Sequence, residues 1–226
     1  MRCKRGNSTR IGVAIDSVAA CAGIHWTIAI FDTLKQPKKA PQSLKTSMQS
    51  QNILHFWFDE LTHKQHFAKD AALDETIRTR FGAMLEAASR CELFGWRATP
   101  EGRLAEIVVL DQFSRHVYRD TPRAFVQDAL ALSLAQELVA SGQDSALNTP
   151  QRRFAYMPYM HSESVLIHAQ AVQLFAQRGL EEAMDFEQRH QSIIARFGRY
   201  PHRNAVLGRA STPEEIAFLN APGSSF

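Results

Sequence analysis

The sequence predicts an all-α protein whose antiparallel helix pairs stack as a short, tetratricopeptide-like right-handed superhelix. Apolar residues recur at the helical period of 3.6 in several segments, and no segment sustains the period-two alternation of a half-buried strand. The connections between these segments are short, which favours antiparallel neighbours. A hydrophobic fraction of 45% and a charged fraction of 22% are ordinary for a globular protein. We therefore predict helices throughout and no sheet.

Residues 1–47 differ from the rest of the chain in charge and composition. They carry eight Lys or Arg against two Asp, whereas the remainder carries 18 basic and 21 acidic residues. Residues 35–47 are rich in Lys, Pro, Gln and Ser, as is typical of a linker. We expect residues 1–47 to be a leader or linker that adds nothing to the fold, either disordered or translated from a mistaken start site. Residues 48–226 are then a single helical domain.

The leader also bears on location and partners. Its apolar stretch, residues 11–31, contains Asp16, which would cost about 2.5–3.5 kcal/mol in a membrane, so we expect no spanning helix. The sequence Val18-Ala-Ala-Cys21 resembles a lipoprotein cleavage box, but Asp16 weakens that interpretation too. Cysteines 3, 21 and 91 have neither metal-binding nor disulfide spacing, which fits the cytoplasm. Because most excess basic charge is in the leader, nucleic acid is not the expected partner.

Helix boundaries are marked by capping residues, taken here in chain order. The first helix, around residues 53–58, is apolar on several faces and should be buried. Asp70 is the expected cap of a helix over residues 73–88. Four Thr-Pro pairs then predict four helix starts, since Thr caps an orphan amide and Pro at the first helical position lacks one; they are Thr99-Pro100, Thr121-Pro122, Thr149-Pro150 and Thr212-Pro213. Thr212 and Glu215 also match a capping box.

Two further helices complete the prediction. One opens with His161, Ser162 and Glu163 and ends at Gly179, as the helix from Thr121 ends at Gly142. Capping explains Ser162 and Glu163, while His161 beside an exposed helix N-terminus could bind an anion. Capping alone and an anion site both remain open. The other helix is striped by Phe186, His190, Ile193 and Phe197.

The stretch from residue 196 to residue 204 is the strongest candidate site. Three arginines, a histidine and an asparagine surround Gly198 and Pro201, with Phe197 and Tyr200 between them. Several guanidinium forks on a short loop suit a carboxylate or phosphate. We predict ligand-binding roles for Arg196, Arg199, His202, Arg203 and Asn204. Arg203 should point into a groove, so that its replacement costs little stability.

Asp111 and Gln112 interrupt the otherwise apolar run of residues 107–113. We expect Asp111 to be buried and bonded to an arginine, either Arg115 or one from residues 196–203. The pair could simply lock two helices together, or Asp111 could orient an arginine toward a ligand. Arg115, His161 and Glu163 therefore join the predicted ligand-binding residues, with Asp111 and Gln112 as supporting residues.

Metal and cofactor motifs are weak or missing. The pairs Glu60 with His63 and Glu187 with His190 have the Glu-x-x-His spacing of di-iron bundles, but such sites need two more glutamates from other helices. The sequence has no nucleophile elbow, phosphate-cradling glycine loop or dinucleotide fingerprint. We predict no metal and no cofactor.

Several of these segments together resemble the bacterial family of unknown function DUF924. The resemblance runs from about Met48 to the C-terminus and rests on Ile53-Leu-His-Phe-Trp-Phe58, Gly102-Arg-Leu-Ala105, Leu110-Asp-Gln-Phe113, Thr121-Pro-Arg-Ala-Phe125 with Asp128, His161-Ser-Glu163, Arg196 to Asn204, Leu207-Gly-Arg209 and Pro222-Gly-Ser-Ser-Phe226. It implies an all-helical, tetratricopeptide-like fold and no particular activity. The chain departs from the family pattern at Ser114-Arg-His116, where Pro-Arg-Asn is usual, and at His66-Phe67, where Trp-Phe is usual.

Three functions remain open. The leading interpretation is a binding module whose groove holds a small anionic molecule or the carboxylate or phosphate of a peptide. The second is an enzyme acting on a small anionic substrate, with His161 and His202 as acid and base. It requires a carboxylate within about 2.6–3.2 Å of a histidine beside an open pocket. The third is a purely architectural polar cluster in a helical interaction protein. The oligomeric state does not follow from the sequence.

Overall fold

The computed structural model of the chain describes residues 50–224. The predicted leader, residues 1–47, lies outside this part. All regular elements of residues 50–224 are helical, and none of these residues forms a strand. The α-helices of this part are α1 (Ser50–His55), α2 (His63–Phe67), α3 (Ala71–Ser89), α4 (Pro100–Val108), α5 (Ser114–Val117), α6 (Asp128–Ala140), α7 (Thr149–Met160), α8 (Val165–Phe175), α9 (Glu181–Phe197) and α10 (Pro213–Leu219).

Helix α4 lies at the centre of the fold. It contacts α1, α6 and α7, and its residues Leu104, Ile107 and Val108 are fully buried. Each large apolar side chain buried in this way stabilises the fold by about 1.5–3 kcal/mol. Glu106 of the same helix is also fully buried, and its carboxylate is paired with Arg97 at 2.6 Å.

Two of the helices continue as wider, π-helical turns. Helix α1 runs into the π-helical segment Phe56–Glu60, and α4 runs through the π-helical segment Val109–Phe113 into α5. The aromatic rings of these two segments pack together, with Trp57 and Phe113 at a centroid distance of 5.6 Å. Segments of this kind are frequent at functional sites.

Several predicted helix starts are confirmed. The Thr99 hydroxyl accepts a hydrogen bond from Gly102 N at 3.0 Å, and Asp70 accepts bonds from the first-turn amides of α3. Thr212 and Glu215 form the predicted capping box of α10. The prediction at Thr149-Pro150 was late by one residue, because Asn148 is the cap of α7.

Two predicted helix starts were wrong. After Thr121 the chain makes only the short 3₁₀ turn Pro122–Ala124, and α6 begins later, at Asp128. His161 caps the C-terminus of α7, while α8 begins at Val165. His161 therefore does not lie at a helix N-terminus. The sequence signal misled because α7 continues through Pro158 to Met160, a position where Pro normally breaks a helix.

Neighbouring helices in the second half contact each other in sequence order, α6 with α7, α7 with α8, and α8 with α9. Within residues 50–224, no helix combines the length and the apolar composition needed to cross a membrane.

Candidate functional site

A cleft of about 980 Å³ opens between α2, α5, α7, α9 and the chain that follows α9. Many of its lining residues are apolar, including Phe67, Phe125 and Met157. The polar walls are dominated by basic side chains, namely Lys69, Arg115, Arg119, Arg153, Arg189 and Arg203, with His63, His66, His116, His161, His190 and His202. Asp120 and Glu182 are the acidic lining residues in the described part of the chain. This composition suits an organic molecule that carries negative charge.

Along one wall of the cleft lies a group of five charged or polar side chains, which we call the ion cluster: Asp111, Arg115, Asp128, His161 and Arg203. Arg115 forms a two-pronged pair with Asp128, at 3.0 and 3.1 Å, and its Nη1 lies 3.1 Å from Asp111 Oδ1. Arg203 Nη1 donates to the same Asp128 at 3.2 Å. Asp111 is fully buried and bonded to Arg115, as the sequence predicts.

His161 is tied to this cluster by one ring nitrogen. Its Nδ1 lies 2.8 Å from Asp111 Oδ1, and because a carboxylate can only accept, Nδ1 is the donor. Burial alone would raise the pKa of Asp111, but the charge of Arg115 and the hydrogen bonds from His161 and Gln112 outweigh it and hold that pKa well below its usual value. Burial, followed by the charge of Arg115, lowers the pKa of His161. At neutral pH His161 is therefore an uncharged ring whose Nε2 is an acceptor.

Arg203 is a nearly buried cation at the wall of the cleft, with 6% of its surface exposed. Its guanidinium lies over the rings of Phe125 and Tyr200, at 4.7 and 4.5 Å, and donates to Asp128 and to the carbonyl of His161. Its Nε is buried without a hydrogen-bond partner among the described residues. Burial and the nearby Arg115 lower its pKa. The sequence analysis placed Arg203 in a groove at a non-core position; the side chain does line the cleft, but stacking and two hydrogen bonds tie it to the core.

Four of the predicted ligand-binding residues lie outside the cleft lining. Glu163 is paired with Arg209 at 2.6 Å and accepts a bond from Tyr200 N. Arg199 makes a two-pronged pair with Glu215, at 2.7 and 2.8 Å. Asn204 donates to Ser211 and Glu215 and accepts from Arg209. We call these seven residues the C-terminal network: Glu163, Arg199, Tyr200, Asn204, Arg209, Ser211 and Glu215.

The remaining outlier is Arg196, which is exposed and stacks on Phe197 at 4.6 Å. The predicted site residues therefore fall into two groups. Arg115, Gln112, His161, His202 and Arg203 line the cleft, whereas Arg196, Arg199, Glu163 and Asn204 do not. Sequence proximity misled here because residues 196–204 change direction at Gly198, which has a φ of 68°.

Two cleft histidines, His66 and His116, were missed as site residues. His66 Nε2 donates to the carbonyl of Trp57 at 2.7 Å while its ring stacks on the Trp57 ring at 4.6 Å. His116 Nδ1 lies 2.7 Å from Asp74 Oδ1, and Arg119 donates two hydrogen bonds to the same carboxylate. Burial lowers the pKa of both histidines. The only indication in the sequence that these two histidines were unusual was that both depart from the residue usual in the family at their positions.

Cations also surround the mouth of the cleft. Arg153 is paired with Glu182 at 3.0 Å. Arg189 is exposed and stacks on Phe186 at 5.5 Å, and neither Arg189 nor Lys69 forms an ion pair with any residue in the described part. These two side chains are available to a negatively charged ligand.

The two Glu-x-x-His pairs have other partners. Glu60 forms a two-pronged pair with Arg80, and Glu187 Oε1 is 2.6 Å from His168 Nδ1 in the core. Among residues 50–224, no group of three or more His, Cys, Asp or Glu side chains is arranged to hold a metal ion.

Comparisons with known proteins agree with the sequence resemblance. A family model described as a bacterial protein of unknown function, DUF924, matches residues 53–223. The solved structure of a protein of unknown function from Agrobacterium tumefaciens is similar at 36% sequence identity and a TM-score of 0.72, covering 76% of this chain and 96% of that one. No functionally curated relative matches the sequence. Neither description names an activity.

Proposed function

The chain belongs to the DUF924 family of bacterial proteins of unknown function, and from that premise we propose that its cleft binds a small organic anion. The anion is a free molecule or the carboxylate or phosphate of a peptide. The proposal assigns the family domain to a stack of antiparallel helix pairs like those of tetratricopeptide proteins, supported by the successive contacts of α6 to α9. It also assigns the protein to the cytoplasm, in keeping with the free, exposed Cys91.

The observation that carries the proposal is the charge balance of the cleft. Arg115 and Arg119 are matched by Asp111, Asp128 and Asp74. Arg203 has only a share of Asp128, although a buried guanidinium normally requires full pairing. Of its five N–H donors, two are used in hydrogen bonds to the protein. An anion beside Arg203 would complete this pairing.

Long-range electrostatic attraction also favours an anionic ligand. Lys69 and Arg189, which are unpaired within the described residues, stand at the mouth of the cleft. Their charges would draw an anion inward and would contribute modestly to its affinity, because exposed pairs are worth about 0.2–1 kcal/mol. Phe67, Phe125 and Met157 would then contact the apolar body of the ligand.

Helix α9 offers a matched pair of variants for a test. Arg189 and Arg196 are both exposed and both stack on a phenylalanine, but only Arg189 lines the cleft. Titration calorimetry with phenyl phosphate and benzoate should show binding that Arg189→Gln weakens about two- to fivefold. Arg196→Gln should bind like the wild type. Arg203→Lys should weaken binding about tenfold or more, since lysine lacks the planar fork.

The outcomes are separable. Equal losses in Arg189→Gln and Arg196→Gln would mean that the anion binds elsewhere on the surface. No binding of either compound to the wild type, at millimolar concentrations, would contradict the proposed function.

A second candidate function is hydrolysis with His161 as general base. One observation favours it, namely the 2.8 Å contact between Asp111 and His161 at the wall of an open cleft. A carboxylate on Nδ1 holds the ring in the tautomer whose Nε2 can take a proton from water, the arrangement that also activates water or a hydroxyl in catalytic triads. Because burial lowers the pKa of His161, this basic form would persist below pH 6.5.

Nitrophenyl esters and phosphates would reveal such an activity. We expect wild-type turnover that stays constant from pH 8 to below pH 6.5, and its loss in His161→Gln. His116→Gln, which breaks the Asp74–His116 pair instead, serves as the control. If the wild type turns over none of these compounds faster than buffer, or if both variants lose activity equally, His161 is not the base.

A further inference from the structure

The cleft carries a second kind of polar group besides its cations. Three of its histidines, His66, His116 and His161, each use one ring nitrogen to donate to a protein acceptor. The acceptors are the Trp57 carbonyl and the carboxylates of Asp74 and Asp111. Since carbonyl and carboxylate oxygens can only accept, the proton on each ring is assigned to the bonded nitrogen. The other nitrogen is then an acceptor as long as the ring is neutral.

These rings are neutral at physiological pH. Burial is the largest influence on all three and lowers the pKa of each one below its ordinary value. Nearby arginines act in the same direction, Arg153 on His66 and Arg119 on His116. One region of the cleft therefore presents lone pairs, and Arg203 presents donors.

His66 gives the most specific indication. It is 9% exposed, it lines the cleft, and its Nδ1 is buried with no hydrogen-bond partner among residues 50–224. A buried acceptor left unpaired is destabilising, because it has lost its hydrogen bond to water. A donor supplied by a ligand would remove that cost.

We propose that the cleft is selective for an anion that also carries hydroxyl groups, with His66 Nδ1 accepting a hydrogen bond from one hydroxyl while the anionic group lies beside Arg203. This inference rests on the proposed anion-binding function and narrows its ligand class to hydroxylated phosphates or carboxylates. An ammonium group is disfavoured as the donor because Arg119 and Arg153 line the same cleft. His66 is thus a specificity-determining residue.

The test compares ligands that differ only in hydroxyl groups. Inositol 1-phosphate and cyclohexyl phosphate share a six-membered carbon ring and a phosphate, and quinate and cyclohexanecarboxylate form the corresponding carboxylate pair. Titration calorimetry on the full chain should show the hydroxylated member of at least one pair binding tenfold or more tightly. Which pair responds distinguishes phosphate from carboxylate. A site built around buried polar groups rejects an analogue that leaves them unpaired by at least this factor.

Two variants assign the preference to His66. His66→Phe retains an aromatic ring beside Trp57 and removes the acceptor, so the preference should fall by about tenfold with little change for the cyclohexyl compounds. His63→Phe is the control, because His63 lines the same cleft from the same helix but is exposed. That variant should keep the wild-type preference.

Contrary outcomes are distinct from each other. If the wild type binds both members of each pair equally, the hydroxyl preference is wrong while anion binding stands. Binding of none of the four compounds overturns both. A preference that survives in folded His66→Phe removes His66 from the inference, and if that variant does not fold, the wild-type comparison decides.

Discussion

Asp111 shows how a single carboxylate can organise a site. It is fully buried, it contacts Arg115 and His161, and it accepts a bond from Gln112 Nε2 at 2.5 Å. Removing a carboxylate from water is costly unless charge and hydrogen bonds replace the lost hydration. Here Arg115, His161 and Gln112 replace the lost hydration. The contact with Asp111 also fixes the tautomer of His161.

Replacing Asp111 by Ala should therefore cost about 3–5 kcal/mol of unfolding free energy, because Arg115 would remain buried with only Asp128 as its partner. Urea denaturation measures this directly. Asp59→Ala is the control, since Asp59 pairs with His55 on the surface. A near-neutral result for Asp111→Ala would show that the cluster is hydrated rather than buried.

At the level of single residues, the sequence predicted which side chains are buried better than it predicted which residues they contact. A lone Asp in an apolar helical run has to be buried, so Asp111 and its arginine could be predicted. The roles of His66 and His116 could not, because their acceptors, the Trp57 carbonyl and Asp74, are brought to them by other turns and helices. Arg203 was misjudged for the same reason, since Phe125 and Asp128 cover it from a distant part of the chain.

Helix α10 is held by polar contacts as well as by the packing of Phe218 on Phe197. Its cap residue Thr212 bonds Glu215 N, and the Glu215 carboxylate is clasped by Arg199. Arg199, then the Thr212 amide, lower the pKa of Glu215 to about 2. The C-terminal network thus holds the last helix beside the cleft, where Phe218 forms part of the wall.

Thr212→Ala should weaken this helix by about 1 kcal/mol, the usual value of an N-cap. Hydrogen exchange should accelerate in residues 213–219 and change little in α4, because the element opens locally before the core does. Thr79→Ala is the control, since Thr79 is exposed in the middle of α3 and caps nothing. Faster exchange throughout the chain would show that α10 is not an independent unit.

The π-helical segment Val109–Phe113 connects helix α4 to the candidate site. It contains both Asp111 and Gln112, and it joins α4 to the helix that carries Arg115 and His116. Hydrophobic periodicity cannot predict a π-helical segment, because an apolar run fits α and π turns equally well. Its wider turn is decided by packing.

For the molecule as a whole, buried histidines set the response to acid. Burial lowers the pKa of His190 to about 3 and that of His202 to about 4. Their pKa in the unfolded chain is about 6.5. Between these values the unfolded chain binds more protons than the folded one, so stability falls as the pH falls from about 6.5 toward 4.

We expect the unfolding free energy to drop by on the order of 2 kcal/mol per buried histidine between pH 7 and pH 4.5. Thermal melts across this range measure the slope. His190→Phe should flatten it, whereas Thr79→Ala, at an exposed position without a titratable group, should leave it unchanged. A wild-type melting temperature that is constant from pH 7 to pH 4.5 would contradict the burial of neutral histidines.

The sequence by itself determined the all-helical class, several of the helix starts and the burial of Asp111. These follow from local causes, namely the 3.6-residue period, the capping of orphan amides and the cost of an unpaired charge. Only the tertiary structure decided which polar residues share a cleft. Arg199 and Arg203 are four residues apart in sequence, yet one bonds Glu215 outside the cleft and the other bonds Asp128 at its wall. A pairing between distant residues depends on how helices pack, and helix packing is set by the shapes of whole apolar faces rather than by any short sequence pattern.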